Sequence, residues 1–259
     1  MKNIKLIILT MGALGTWLPA SKAGYSLLNS ASDFAVLGAS TVTSTGNTVV
    51  NGDLGVFPGL SITGFSPLIV NGTIYVGDSV ARQASIDAIN AYSVLGQESI
   101  FQILTGQNLG GLTLGPGVRN FSSSAQLTGV LVLDAQGDPN ARFDFQIGST
   151  LTTASGSSVQ LINGAQANNV NWQIGSSATI GSDTAFIGSM LADQSITLNT
   201  GASLMGRALA LHGAVTLDNN YIIETASVPE PGNLLASALA VSALLVWKGV
   251  AKWRRQTKL

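Results

Sequence analysis

Four charged residues crowd the stretch "LDAQGDPNARFD": Asp134, Asp138, Arg142 and Asp144. Paired carboxylates at such spacing can act as general acid and base, or hold calcium through their oxygens. The same stretch concentrates Gly, Asp, Pro and Asn, each a turn former for its own reason, and acids confined to one loop lack a second convergent group. It therefore reads as a turn. His212 is the only histidine and cysteine is absent, so one chain can build no histidine triad, no multi-histidine metal site and no thiol chemistry. No catalytic residue, metal or cofactor is assigned.

A second set of residues offers surface chemistry instead. "SITLN" at 195–199 returns as "AVTLD" at 214–218, and "SATIG" stands at 177–181. Strand alternation sends Ile196, Leu198, Val215 and Leu217 to one side and Thr197 and Thr216 to the other. Two residues further back along each strand, the outward pairs become Thr150/Thr152, Ser177/Thr179, Ser195/Thr197 and Ala214/Thr216. "STVTSTGNT" adds Thr41, Thr43 and Thr45 in the same phase. Threonine is a good strand residue, and exposed threonine ladders also form where nothing binds. A solvated face normally carries Lys, Glu or Asp, however, and these columns carry Thr, Ser and Ala. Stacked strands would set neighbouring threonines ~4.8 Å apart across strands and ~6.7 Å apart along one. Such a flat lattice of methyls and hydroxyls can order water. "VLVLD" at 130–134 breaks the pattern with Val132, so either that strand lies off the face or the face has an apolar patch.

The elements that hold these residues are short strands. "FQIGSTLTTASG" from Phe145 matches "WQIGSSATIGSD" from Trp172, 27 residues on, while Thr179 to Thr197 is 18 and Thr197 to Thr216 is 19. Recurrence at about twenty residues, with two or three strands per unit, is the signature of a β-solenoid. The longer offset absorbs a loop, "INGAQANNV". One stretch differs, setting Val80, Ala84, Ala88, Ala91 and Leu95 at helical spacing with Asp78 or Ser79 able to cap its start. It predicts one long helix over about 78–104, reaching at least Leu95 and lying on something larger.

Charge separates the chain into three parts. Of twelve Lys and Arg, three lie at or before Lys22 and five at or after Lys248. Between them stand only Arg82, Arg119, Arg142 and Arg207, and residues 24–227 set these four against twelve acids, which excludes the basic footprint of nucleic-acid binding. Lys2 and Lys5, an apolar run and "SKA" form a signal peptide over residues 1–23, with cleavage expected after Ala23. At the other end, Pro229, Glu230 and Pro231 precede an apolar run from Leu234 to Trp247 and five basic residues. That run is short for a bilayer, which takes ~20 residues, so flanking lysines would snorkel or the bilayer thin. The domain between, 24–227, is cysteine-free despite export, so a long core rather than disulfides must hold it.

The tail, 228–259, resembles the PEP-CTERM sorting signal of Gram-negative bacteria, processed by an exosortase. The resemblance implies export to the cell surface or beyond, with transient or retained anchoring in the inner membrane. The middle region also resembles a known family. "ASDFAVLGASTVTSTGNTVVNGDLGVFPG", "FSSSAQLTGVLVLDAQGDPNARFDFQIGSTLTTASGSSVQLINGAQANNVNWQIGSSATIG" and "SITLNTGASLMGRALALHGAVTLDNN" are similar to the ice-binding proteins of bacteria, fungi, diatoms and sea-ice algae, from about Ser30 to Ile223. The family implies a mostly β fold: a right-handed, discontinuous β-helix of triangular section with one long α-helix alongside. It implies adsorption to an ice crystal surface through a flat face, without catalysis. The face expected here centres on Thr152, Thr179, Thr197 and Thr216, with Thr150, Ser177 and Ser195 as a second column and Thr43 and Thr41 as further members. Parallel β-helices also host polysaccharide-cleaving enzymes. A cell-surface adhesin or matrix protein binding exopolysaccharide is the other alternative, discriminated by glycan binding above freezing.

Overall fold

The computed structural model describes residues 27–64 and 66–225. The expected signal peptide, 1–23, and the expected sorting tail, 228–259, with Pro229, Glu230 and Pro231, lie outside the described residues. Among the described residues the fold is mostly β, with every strand pairing parallel, one α-helix and two short 3-10 turns.

Each coil carries three strands, and the strands of successive coils stack in register. Phe143–Ile147 lies on Val170–Ile174 with Phe145 opposite Trp172, so the 27-residue offset is one full coil. Those two rings stack at 3.9 Å between centroids, and Phe186 packs against Trp172 from the next strand series. The Trp172 indole N–H, buried with them, donates to the Ile187 carbonyl at 3.0 Å. The loop "INGAQANNV" contains the 3-10 turn Ala167–Asn169. Later coils are shorter because they omit such a loop: Ala185–Ala192 and Ser203–Ala210 each run unbroken around a corner. Glycine makes that corner feasible. Gly206 has φ +148°, and a Cβ there would lie 2.1 Å from the Gly188 carbonyl oxygen.

The coils do not follow chain order. Residues 102–223 wind from one end towards the middle, and the next rungs are supplied by the N-terminal segment. Phe34–Gly38 pairs with Ser203–Ala210, Thr41–Thr45 with Val215–Asp218, and Val49–Asn51 with Tyr221–Ile223. Arg207, buried at this seam, donates to the Ser32 carbonyl at 2.8 Å, to the Glu224 carboxylate at 2.7 Å and to the Thr225 carbonyl at 2.7 Å.

The helix returns the chain from the N-terminal coils to the opposite end. Helix α1 spans Ser79–Gly96, about 27 Å at 1.5 Å per residue. Asp78 is its cap, accepting from the Val80 and Ala81 N–H groups. Ala84, Ala88, Ala91 and Leu95 pack with Phe34, Leu37, Leu191 and Leu209, and Ala81 is buried on the same helix; small side chains bring the helix close to the strands. Two corrections follow. Val80 is exposed and Ala81 holds the position expected of it. The helix also ends at Gly96, not near residue 104: Gln97 is the C-cap, and Gln102–Ile103 is a strand. Gly96 disfavours continuation, and β-branched Ile100 and Ile103 suit an extended chain. The buried Gln146 side chain closes the end by donating to the Leu95 and Glu98 carbonyls.

Candidate binding face

One strand series carries the threonines. Its order in space is Ala125–Leu127, Leu151–Thr153, Ala178–Ile180, Ile196–Leu198, Val215–Asp218, Thr41–Thr45, Ser61–Thr63. These strands follow the expected alternation. Leu151, Ala178, Ile180, Ile196, Leu198, Val215 and Leu217 are buried, and the residues between them face outward.

Register then builds a column. Gln126 pairs with Thr152, Thr152 with Thr179, Thr179 with Thr197, Thr197 with Thr216, Thr216 with Thr43, and Thr43 with Thr63. Six threonines thus follow one another at the strand spacing of ~4.8 Å, four from the C-terminal coils and two from the N-terminal segment. No charged side chain interrupts them.

The second column runs beside the first. Thr150, Ser177, Ser195 and Thr41 all stand two residues before a column threonine. Its hydroxyls are partly spent on stacking the coils: Thr150 donates to Ser124 at 2.8 Å, Ser177 accepts from the Ser195 N–H, and Ser195 accepts from the Ala214 N–H. The central six differ, since none of their hydroxyls bonds to another described residue. A third line lies at the far edge, where Asp218 accepts from both Thr45 and Thr200 and ties its coil to the two on either side.

Every outward threonine and serine expected from sequence lies on this one face. Thr63 and Ser61 were missed, although "SIT" at 61–63 is identical to "SIT" at 195–197. Gln126 was also missed; Ala125 and Leu127 on either side of it point inward. Val132 lies off the face, because Val130–Asp134 belongs to a different series and pairs with Ser158–Ile162. Its coil reaches the threonine face through Gln126 instead.

The acid cluster divides into separate structural tasks. Asp134 accepts from the Gln136 N–H and the Asn163 amide, and Asp138 from the Asn140 N–H, so both fix turns. Arg142 bridges Glu98 at 2.9 Å and Asp144 at 3.0 Å, tying the end of α1 to the coils. Burial pushes the Asp144 carboxyl up to about 6, against the opposing pull of Arg142 and of the Asn171 amide. Among the described residues, no three His, Cys, Asp or Glu side chains converge on a metal-sized site.

Comparison with known proteins agrees with this architecture. The family described as "Ice-binding-like" matches residues 36–223. An ice-binding protein of Nostoc sp. (strain HG1) is 55% identical over 240 residues, covering 89% of each chain. The crystal structure of an ice-binding protein from an Antarctic biological consortium is 47% identical, with TM-score 0.74, over 76% of this chain and 89% of that one. That of an Antarctic ascomycete, Antarctomyces psychrotrophicus, is 39% identical with TM-score 0.75, over 77% of this chain and 98% of its own. The crystallised chain of that ascomycete protein consists almost wholly of the matched region.

Proposed function

The chain belongs to the ice-binding-like family, and on that premise we propose that it adsorbs to ice through the threonine face and so inhibits ice growth and recrystallisation, catalysing no reaction. One observation carries the assignment of the face: six outward threonines in register, with hydroxyls left unbonded, in a column that no charged side chain interrupts. Each contact is weak, a methyl seated against ordered water and a hydroxyl bonded into it. Affinity comes from many such contacts on a surface that needs no reordering, because the strands beneath are locked by the buried core. Ice between adsorbed molecules must then bulge to grow.

The reading extends to the shape and fate of the chain. The coils wind right-handed in a triangular section, supported by three strands per coil and by the strong preference of parallel crossovers for that hand. Residues 1–23 direct export, 24–227 form the binding domain, and 228–259 act as the sorting tail, with Pro229–Pro231 the motif an exosortase would process and the apolar run a membrane anchor. Among the described residues no helix is long and apolar enough to cross a membrane.

Slow freezing of a dilute solution of residues 24–227 tests the reading. The protein should enter the growing ice in excess of a non-binding protein of similar size. Exclusion from ice, together with retention on immobilised exopolysaccharide above freezing, would replace ice with a glycan as the partner.

A further inference from the structure

Among the described residues, both ends of the solenoid are open. At one, Ser61–Thr63, Ile69–Asn71 and Ile74–Val76 each pair on a single side, with Thr41–Thr45, Val49–Asn51 and Asp53–Val56. At the other, Gln102–Ile103 pairs only with Gly117–Phe121 and Thr113–Leu114 only with Val130–Asp134, while Asn108 bridges to Gln126. Among the described residues, each end therefore shows a row of backbone N–H and C=O groups without a strand partner on all three strand series. Such edges are templates for pairing with another chain, and solenoids ordinarily blunt them with a polar cap. Here the reverse holds. The four most exposed large apolar side chains among the described residues are Leu60 at 74%, Phe101 at 71%, Ile103 at 66% and Ile69 at 53%. All four lie on the two terminal coils.

We propose that a second copy of this chain docks head to tail, the Leu60 and Ile69 end of one molecule stacking on the Phe101 and Ile103 end of the next. Hydrogen-bond direction favours this partner. Since all strands run parallel, a copy moved along the stack axis presents each open edge with a strand of matching direction. The molecule already contains such a joint. At the seam, coils from two distant chain segments meet through three parallel edges with no covalent continuity between them. Docking would cover the exposed apolar side chains and carry the threonine column from Thr63 of one copy through Asn108 and Gln126 to Thr152 of the next. That lengthening rests on the ice reading; the contact itself does not. Because the contact is heterologous, assembly is open-ended.

Sedimentation velocity of residues 24–227 over increasing concentration tests it. The mean sedimentation coefficient should keep rising past that of a dimer. Two variants then locate the contact, each placing lysines on one end at exposed positions: Leu60→Lys with Ile69→Lys, and Ile103→Lys with Thr113→Lys. Alone, each should stay monomeric at every concentration. Mixed in equal amounts they should form dimers and nothing larger, because each retains one intact and complementary end. A wild type that stays monomeric, a variant that dimerises alone through like ends, or a mixture that fails to dimerise overturns the proposal. Circular dichroism confirms that both variants fold. Ice retention by the monomeric variants, whose threonine column is untouched, is read separately, so that loss of ice binding and loss of association remain distinct results.

Discussion

A hydroxyl costs or contributes according to what it meets, and two residues on neighbouring faces of one strand show both cases. Thr43 points outward with its hydroxyl free for water. Ser44, next in the chain, points into the core at 3% exposure, and its Oγ has no partner. An unsatisfied buried hydroxyl costs ~1–3 kcal/mol, so Ser44→Ala should raise the urea midpoint of unfolding, by a free energy of about 1 kcal/mol, with ice retention unchanged. Asp144 supplies the pH dependence. Burial raises its folded pKa to about 6, above its ordinary value of 3.8, so between those limits the native state binds more protons than the unfolded one. Stability from this group is full below pH 4 and falls as pH rises to 6. Asp144→Asn should remove that decline, which thermal melts of wild type and variant at pH 4.5 and pH 7 will compare. The turns fixed by Asp134 and Asp138 were legible in sequence, but the place of Asp144 on the strand Phe143–Ile147 and the Arg142 bridge to Glu98 were not. Glu98 lies 44 residues away from Arg142, and no local pattern reports that contact.

At the scale of elements, alternation was the readable signal. A strand with one face in a core must place apolar residues at every second position, so the inward and outward assignments of "SITLN" and "AVTLD" follow from the residues alone. Helix limits follow less directly. The apolar residues of "ESIFQIL" have the same character whether they sit on a helix or on an edge strand, and only the Gly96 stop and β-branched Ile100 and Ile103 separate the cases. Likewise Val132 resembles a column residue because Val130–Asp134 alternates as regularly as any threonine strand. Which of three series a strand joins is set by the coil, not by the strand. The corners carry their own requirement. Gly206→Ala would press a Cβ against the Gly188 carbonyl and strain a left-handed φ, and should destabilise the fold by at least about 3 kcal/mol. A fall in melting temperature measures it, and an unchanged melt would show that the corner relaxes freely.

For the whole molecule, the decisive feature is the seam, where the N-terminal coils complete a face begun by residues 125–218. Repeat spacing cannot reveal it, because the coils on either side are distant in sequence; only the family resemblance implied the discontinuity. Arg207 binds three separated stretches there, and burial lowers its pKa while Glu224 opposes that shift. Arg207→Met leaves Glu224 without its cation and should cost about 3–5 kcal/mol, seen as a lower unfolding midpoint. On the proposed reading, one continuous threonine face, built across this seam, holds ice. The direct test is ice recrystallisation by residues 24–227 carrying Thr197→Tyr, set beside Met205→Tyr on a different strand series and a substitution at exposed Gln97. Small, stable crystals are expected with wild type and both controls, and coarsening with Thr197→Tyr; full activity of Thr197→Tyr, or its loss with Met205→Tyr instead, would overturn the assignment of the face.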